Sequence, residues 1–250
     1  MQLPPTPDDD APLLAAPRAH VPSQPAHVDL VCGPMFSGKT SALDGLADAA
    51  EHAGRPVFIV SPAAAERYGQ DVVSTHSQRQ RPCVCVAQLA SIATVRGTHY
   101  WHLVLVEEGH FFACADLRDF VERMRWCCAR LVVFGLDSNS ELRPFPWVGE
   151  LAPLARSIEK LNGMCRRCPD GVAVCTLRRE GVEGGELLVG ADQEYEAVCA
   201  ACHPRCTAKP AVGAVPQCIH GDECYVCAAE RNYLLDMNAH ARQLNKADHF

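Results

Sequence analysis

The sequence predicts an α/β fold: a mainly parallel sheet with helices on both faces, and a small zinc-ribbon module appended. Three observations predict it. Short apolar runs alternate with stretches of helical periodicity between residues 28 and 136, a glycine loop directly follows the first run, and paired Cys-x-x-Cys knuckles appear after residue 160. Strands that alternate with helices pair in parallel and are buried on both faces, so they read as continuous apolar segments.

The elements follow in chain order. Residues 1–26 contain seven prolines and the acidic triplet Asp8–Asp10. Proline fixes φ and removes a donor, so this stretch reads as a disordered tail. Val28–Cys32 fits a buried strand. Ala42, Leu43, Leu46, Ala49, Ala50 and Ala53 recur at helical spacing, and Gly54 stops that helix. Val57–Val60, Cys83–Ala87, Leu103–Val106 and Leu131–Leu136 read as further strands, and Leu117–Cys128 as a helix. Together these form an expected nucleotide-binding domain over residues 27–161. After Asn162 helical periodicity fades and cysteines cluster. Residues 162–206 therefore read as a metal-stapled module, and residues 207–250 as a tail, part helical from Ala228.

The chain has 250 residues, 48% of them hydrophobic, which is enough for a real core. The net charge of −7 opposes a surface that coats nucleic acid, so no stable nucleic-acid partner is expected. No apolar run approaches a membrane span and no signal peptide is visible. The 15 cysteines are an odd number, too many and too scattered for a secreted disulfide scaffold. They read as reduced thiols, some of them binding metal, in a cytoplasmic protein.

Gly33-Pro34-Met35-Phe36-Ser37-Gly38-Lys39-Thr40 fits G-x-x-x-x-G-K-[ST] at every fixed position. The glycines let the backbone wrap around phosphate oxygens with its N–H groups turned inward. The helix that follows presents its positive end. Lys39 can reach the β- and γ-phosphates, and the Thr40 hydroxyl can ligate Mg²⁺. The loop lies between an apolar strand and an amphipathic helix, the context of a P-loop NTPase that holds ATP.

Leu103-Val-Leu-Val-Glu107-Glu108 places two acids where a buried strand leaves the sheet. Ligands of parallel α/β sheets bind beyond the carboxyl ends of the strands. One acid there can position Mg²⁺, and the other can take a proton from an acceptor hydroxyl. Two ordinary solvated acids at a strand end are the plainer reading.

Cys165-x-x-Cys168 and Cys199-x-x-Cys202 form two knuckles with 30 residues between them. Two facing knuckles complete a closed tetrahedral Zn²⁺ site, which is structural because no position stays open. His203 and Cys206 stand nearby as substitutes for one ligand. Cys218, His220, Cys224 and Cys227 form a looser cluster, read equally as a second zinc site or as reduced thiols. Cys32, Cys85, Cys127 and Cys128 read as small core residues.

In this order and spacing, these features resemble the type II thymidine kinases over residues 28–206. Gly33–Thr40 is similar to that family's G-P-M-F-[SA]-G-K-[ST], and Pro34, Met35 and Phe36 go beyond what a generic P-loop requires. Glu107-Glu-Gly-His-Phe-Phe112 resembles D-E-[AG]-Q-F-F. Gly135-Leu-Asp137 and Arg143-Pro-Phe145 resemble the stretch after the next strand. Gly190-Ala-Asp192 through Tyr195 to Cys199 resembles the lasso loop that closes over the nucleoside. The resemblance implies a RecA-like P-loop core with a zinc lasso domain. It implies transfer of the γ-phosphate of ATP to the 5′-hydroxyl of thymidine, with Glu108 as base. It further implies that Thr40 and Glu107 associate with Mg²⁺, and that Met35, Phe111, Thr176, Tyr195 and Arg67 contact the nucleoside. A homotetramer is implied as well. The sequence departs from the family pattern at Glu107 (Asp), His110 (Gln), Ser140 (an aromatic) and in Ala63–Tyr68, where Arg67 and Tyr68 persist. The departures at Glu107, His110 and Ser140 motivate one alternative, a catalytically silent nucleotide-binding homologue; a zinc-ribbon ATPase stimulated by nucleic acid is another, against which the acidic balance weighs.

Overall fold

A computed structural model gives the placement of residues 23–63, 72–74, 80–92, 100–182 and 193–207. Arg67, the Gly190–Asp192 stretch, residues 1–22 and the Cys218–Cys227 cluster lie outside the described residues. The described residues belong to one compact unit that ends at Thr207.

Six strands form the central sheet. In chain order they are β1 (His27–Cys32), β2 (Val57–Pro62), β5 (Val84–Val86), β6 (Trp101–Val106), β7 (Cys128–Gly135) and β8 (Ala155–Lys160). A hairpin of β3 (Val72–Ser74) and β4 (Gln80–Pro82) precedes β5. The spatial order is β5-β2-β6-β7-β1-β8, and every neighbouring pair is parallel. Parallel neighbours need crossovers, and two long helices supply them: α1 (Lys39–His52) and α2 (Cys114–Met124).

Alternation along the central strands divides the core into two layers. Leu103 and Leu105 of β6, with Val132 and Phe134 of β7, pack with Leu43, Ala47 and Ala50 of α1. Val104, Val106, Leu131 and Val133 face the other way, onto Leu117, Phe120, Val121 and Met124 of α2. Those four α2 residues follow the i, i+3, i+4, i+7 spacing of one helical face. Phe120 is fully buried, and truncating it to alanine would cost about 3–5 kcal/mol. Trp147 and Leu151 of the short helix α3 (Trp147–Leu151) complete this layer.

Two boundaries differ from the sequence expectation. The second helix runs from Cys114 to Met124, not from Leu117 to Cys128. Cys127 turns back, its N–H bonding to Met124 O, and Cys128 already pairs with Trp101 in the sheet. β8 had no counterpart in the sequence reading. Its Ala155-Arg-Ser-Ile-Glu-Lys160 is an edge strand with five exposed residues, so it carries no apolar run.

Beyond Lys160 the chain changes character. Short antiparallel pairs replace the parallel sheet: β9 (Gly163–Met164) with β10 (Val172–Ala173), and β11 (Cys175–Arg178) with β12 (Tyr195–Val198). Cys32, Cys127 and Cys128 are buried and Cys85 partly so, as expected of small core residues. Among the described residues, no helix is long and apolar enough to cross a membrane.

Candidate functional site

The carboxyl ends of β1, β2, β6 and β7 share one edge of the sheet, and the site is built there. The loop after β1 takes positive φ at Gly33 (145°) and Gly38 (87°), which glycine allows freely, and at Phe36 (61°), where a side chain makes it costly. At Gly33 a Cβ would stand 2.2 Å from Leu161 O, so only glycine fits. Helix α1 starts directly after Gly38 with no side-chain cap and no acid in its first turn. Its amino-terminal dipole is thus left for an anion.

Lys39 is buried and folds back on the loop, donating to Gly33 O at 3.2 Å and Pro34 O at 2.6 Å. Burial pushes its ammonium below the usual lysine value. Glu108, Asp137 and Glu107 pull the other way, with Glu108 the strongest of the three. Thr40 Oγ1 donates to Glu107 Oε1 at 3.4 Å, and Ser61 Oγ donates to Glu107 Oε2 at 3.2 Å. Both oxygens of Glu107 are thereby oriented by hydroxyls from α1 and β2. Ser61, at the end of β2, joins this edge through Glu107, a contact that no spacing in the sequence signals.

Glu108 leaves β6 in a left-handed turn, φ 47° and ψ 44°, a conformation that costs a non-glycine residue roughly 1–2 kcal/mol. The turn continues as a 3-10 helix over Gly109–Phe111, and Phe111 N donates to Glu108 O at 2.9 Å. Asp137 stands at the next strand end, paired with Lys160 at 2.6 Å. Three buried oxygens around this edge have no hydrogen-bond partner among the described residues: Ser37 Oγ, Glu108 Oε2 and Asp137 Oδ1. Buried polar atoms left unsatisfied in this way are the fit expected of a site that takes a polar ligand. The loop amides, Lys39 and the Thr40–Glu107 pair likewise fit a nucleoside triphosphate with Mg²⁺.

The other residues singled out from the sequence are placed as follows. Thr176, on β11 and 3% exposed, accepts the Met35 N–H at 2.9 Å, joining the cysteine module to the phosphate loop. Tyr195 is buried on β12 opposite Arg178, whose guanidinium lies 5.7 Å from the ring centroid. Phe111 packs on His110 with centroids 4.3 Å apart. Ser140 O accepts from His203 Nε2 at 3.2 Å. A cavity of about 540 Å³ between the 137–149 segment and the module is lined by Asp137, Phe145, Lys160, Cys175 and Cys206, among others.

Cys165, Cys168, Cys199 and Cys202 bring their sulfurs within 4.8 Å of one another. Sulfurs about 2.3 Å from a tetrahedral ion stand roughly 3.8 Å apart, so the cluster is compatible with zinc. Burial raises the Cys165 thiol, but backbone N–H groups of Cys199, Arg167 and Cys168 outweigh it and hold the thiol at about 6. A thiolate at neutral pH is the form that binds metal. His203 and Cys206 are engaged elsewhere. His203 Nδ1 accepts from Arg205 N while Nε2 meets Ser140 O. Cys206 hydrogen-bonds to Cys175, whose thiol burial pushes up to about 11.

Comparison with known proteins gives the same reading. The thymidine kinase family model matches residues 26–203. A thymidine kinase of Halobacterium salinarum is 30% identical over 195 residues, 74% of this chain and 97% of that protein. One from Oryza sativa subsp. japonica is 34% identical over 189 residues, covering 71% and 66%. One from rabbit fibroma virus is 30% identical over 177 residues, covering 71% and 96%. With the parallel sheet, the glycine loop on its first strand and the four-cysteine module in place, the match over most of the chain shows that the protein belongs to the thymidine kinase family.

Proposed function

We propose that this chain transfers the γ-phosphate of ATP to the 5′-hydroxyl of thymidine, giving thymidine monophosphate and ADP. One observation carries the reading: the phosphate loop after β1 and the two acids after β6 lie at the same edge of one parallel sheet, where Thr40 Oγ1 of the loop's helix donates to Glu107 Oε1 at 3.4 Å. Loop residues Gly33, Pro34, Met35, Phe36, Ser37 and Gly38, with Lys39, wrap the triphosphate; the donors are the N–H groups of Gly33, Phe36, Ser37 and Gly38, since Pro34 has none and that of Met35 is given to Thr176. Thr40 and Glu107 would hold Mg²⁺, with Ser61 fixing the second oxygen of Glu107. Bound there, Mg²⁺ neutralises charge on the phosphate oxygens.

Glu108 takes the proton from the 5′-hydroxyl as that oxygen forms its bond to the γ-phosphorus, and the bond to the ADP oxygen breaks. Proton removal of this kind contributes roughly 10²–10⁴-fold. Met35, Phe111, Thr176 and Tyr195 grip the nucleoside, together with Arg67. Cys165, Cys168, Cys199 and Cys202 would hold a structural Zn²⁺ that ties together the chain flanking β11 and β12, which carry Thr176 and Tyr195. By resemblance the molecule is a homotetramer.

The test uses the full chain with Mg²⁺, ATP and each deoxynucleoside in turn. Thymidine monophosphate should form, and both Glu108→Gln and Lys39→Met should lower kcat by about 10²-fold or more. A wild-type protein that binds ATP and phosphorylates no nucleoside would make the chain a silent homologue. ATP hydrolysis that rises with single-stranded DNA would make it a nucleic-acid-stimulated ATPase.

A further inference from the structure

His110 follows the two acids by only a few residues, yet it has no part in the chemistry proposed above. Its side chain is 2% exposed and it contacts two aromatic rings, both tilted to it. The Phe111 centroid is 4.3 Å away at 36°, and the Phe145 centroid 5.0 Å away at 41°. Leu136 N donates to His110 Nδ1 at 3.2 Å. A backbone N–H can only donate, so Nδ1 carries the lone pair and the ring proton sits on Nε2.

That assignment has a consequence for Glu108. Its Oε2 lies 3.5 Å from the same Nδ1, is buried, and has no hydrogen-bond partner among the described residues. An acceptor facing an acceptor gives the ionised carboxylate nothing. The single lone pair of Nδ1 is taken by the Leu136 N–H, so His110 shields this oxygen without donating to it.

The backbone supports the same assignment. Glu108 is held in a left-handed turn, and such conformations persist only where the surroundings over-determine them. The Leu136–His110 bond ties the turn after β6 to the end of β7. Trp147 Nε1 fixes that end in turn by donating to Leu136 O at 2.7 Å. Gly109 packs so closely on β7 that a Cβ there would meet Val133 Cγ1 at 2.8 Å.

We propose that His110 is the positioning residue of Glu108: through Nδ1 it locks the turn that aims the carboxylate and keeps hydrogen-bond donors away from Oε2. The proposal rests on the reading of Glu108 as the base. It assigns a role to one of the positions at which this sequence departs from the family pattern.

The experiment compares His110→Phe, which keeps an aromatic ring and loses Nδ1, with His110→Asn, whose amide oxygen can take the place of Nδ1. Both are measured by steady-state kinetics on the full, zinc-loaded chain with ATP and thymidine. His110→Phe should lower kcat about tenfold to a hundredfold, the scale of a misplaced catalytic group, with KM for ATP essentially unchanged. His110→Asn should restore most of kcat. A Phe variant that does not fold is replaced by His110→Leu, for which the same results are expected. A wild-type kcat in the Phe or Leu variant overturns the proposal, as does an equal loss in the Asn variant. Glu108→Gln separates the two levels. If it is inactive while His110→Phe is normal, only the positioning role fails. If Glu108→Gln turns over normally, the base reading fails first.

Discussion

Replacing Thr176 by valine tests whether the cysteine module and the phosphate loop act as one structure. Thr176 is 3% exposed, and its Oγ1 accepts the Met35 N–H at 2.9 Å across 141 positions of sequence. Valine keeps the branched shape and removes the acceptor, so Met35 loses its partner in a half-buried place. An unsatisfied amide costs about 1–3 kcal/mol, and partial access of water to Met35 puts this one at about 1.5 kcal/mol. For a domain of this size that is a fall in Tm of about 3–6 °C. Thermal unfolding followed by circular dichroism on the zinc-loaded protein reads it directly, with Thr176→Ser as the control that keeps the hydroxyl. The loop amide also loses its fixed direction, so KM for ATP should rise in the valine variant alone. A valine variant that melts with the wild type, or a serine variant that melts with the valine one, would refute the linkage.

Two further substitutions probe the parts that hold the site in place. At Gly171 a Cβ would stand 2.5 Å from Cys168 Sγ and 3.1 Å from Cys199 Sγ, so Gly171→Ala should force the sulfurs apart. Its zinc content, read by elemental analysis, should drop well below one per chain, and full occupancy would count against the cluster as a metal site. Asp29 is buried on β1 and accepts from Arg130, Arg156 and Ser157 at 2.6–3.1 Å. Burial works to raise its carboxyl, but Ser157, Arg130 and Arg156 outweigh it and hold the group below the usual carboxylate value. A folded value below the unfolded one means the stabilisation is complete above about pH 3.9 and is lost as pH falls through the folded value. Asp29→Asn should therefore cost about 1–2 kcal/mol at pH 7. Its Tm should meet that of the wild type in strong acid, and a gap that stays constant with pH would rule out the ionised pair as its source.

The parts of the molecule that could be read in advance are those where a local pattern has a single physical meaning. Leu103–Val106 could only be a buried strand, and Gly33–Thr40 only a loop that bends tightly before a helix. The four knuckle cysteines announced their cluster by spacing, because two sulfurs per tight turn is a geometric signature. Where apolar character runs on across a turn, the reading slipped: Met124 to Cys128 continues the helical pattern while the backbone has already turned into β7. β8 was invisible because an exposed edge strand built from Arg, Ser, Glu and Lys has neither the apolar run nor the alternation of a core strand. Ser61 and Lys160 were out of reach for another reason. Each acts through a neighbour supplied by a distant strand end, Glu107 for the one and Asp137 for the other, and no sequence spacing encodes that meeting.

Two adjacent acids can serve two roles only if their side chains part company, and the turn after β6 brings this about. Glu107 is still tied to the sheet, its N–H donating to Val60 O at 2.8 Å, and its carboxylate lies between hydroxyls of α1 and β2. Glu108 has already entered the left-handed region, and its carboxylate faces His110 on the side of β7. One group has a hydroxyl donor on each oxygen, while the other has an oxygen with none. That contrast matches the roles proposed for them: the group proposed to hold a cation is fixed at both oxygens, and the group proposed to take a proton keeps one oxygen clear of donors. The extra methylene of Glu107 relative to aspartate fits the same logic. A longer side chain would wander if it were held at one point, and Ser61 supplies the second point that keeps it in register with Thr40.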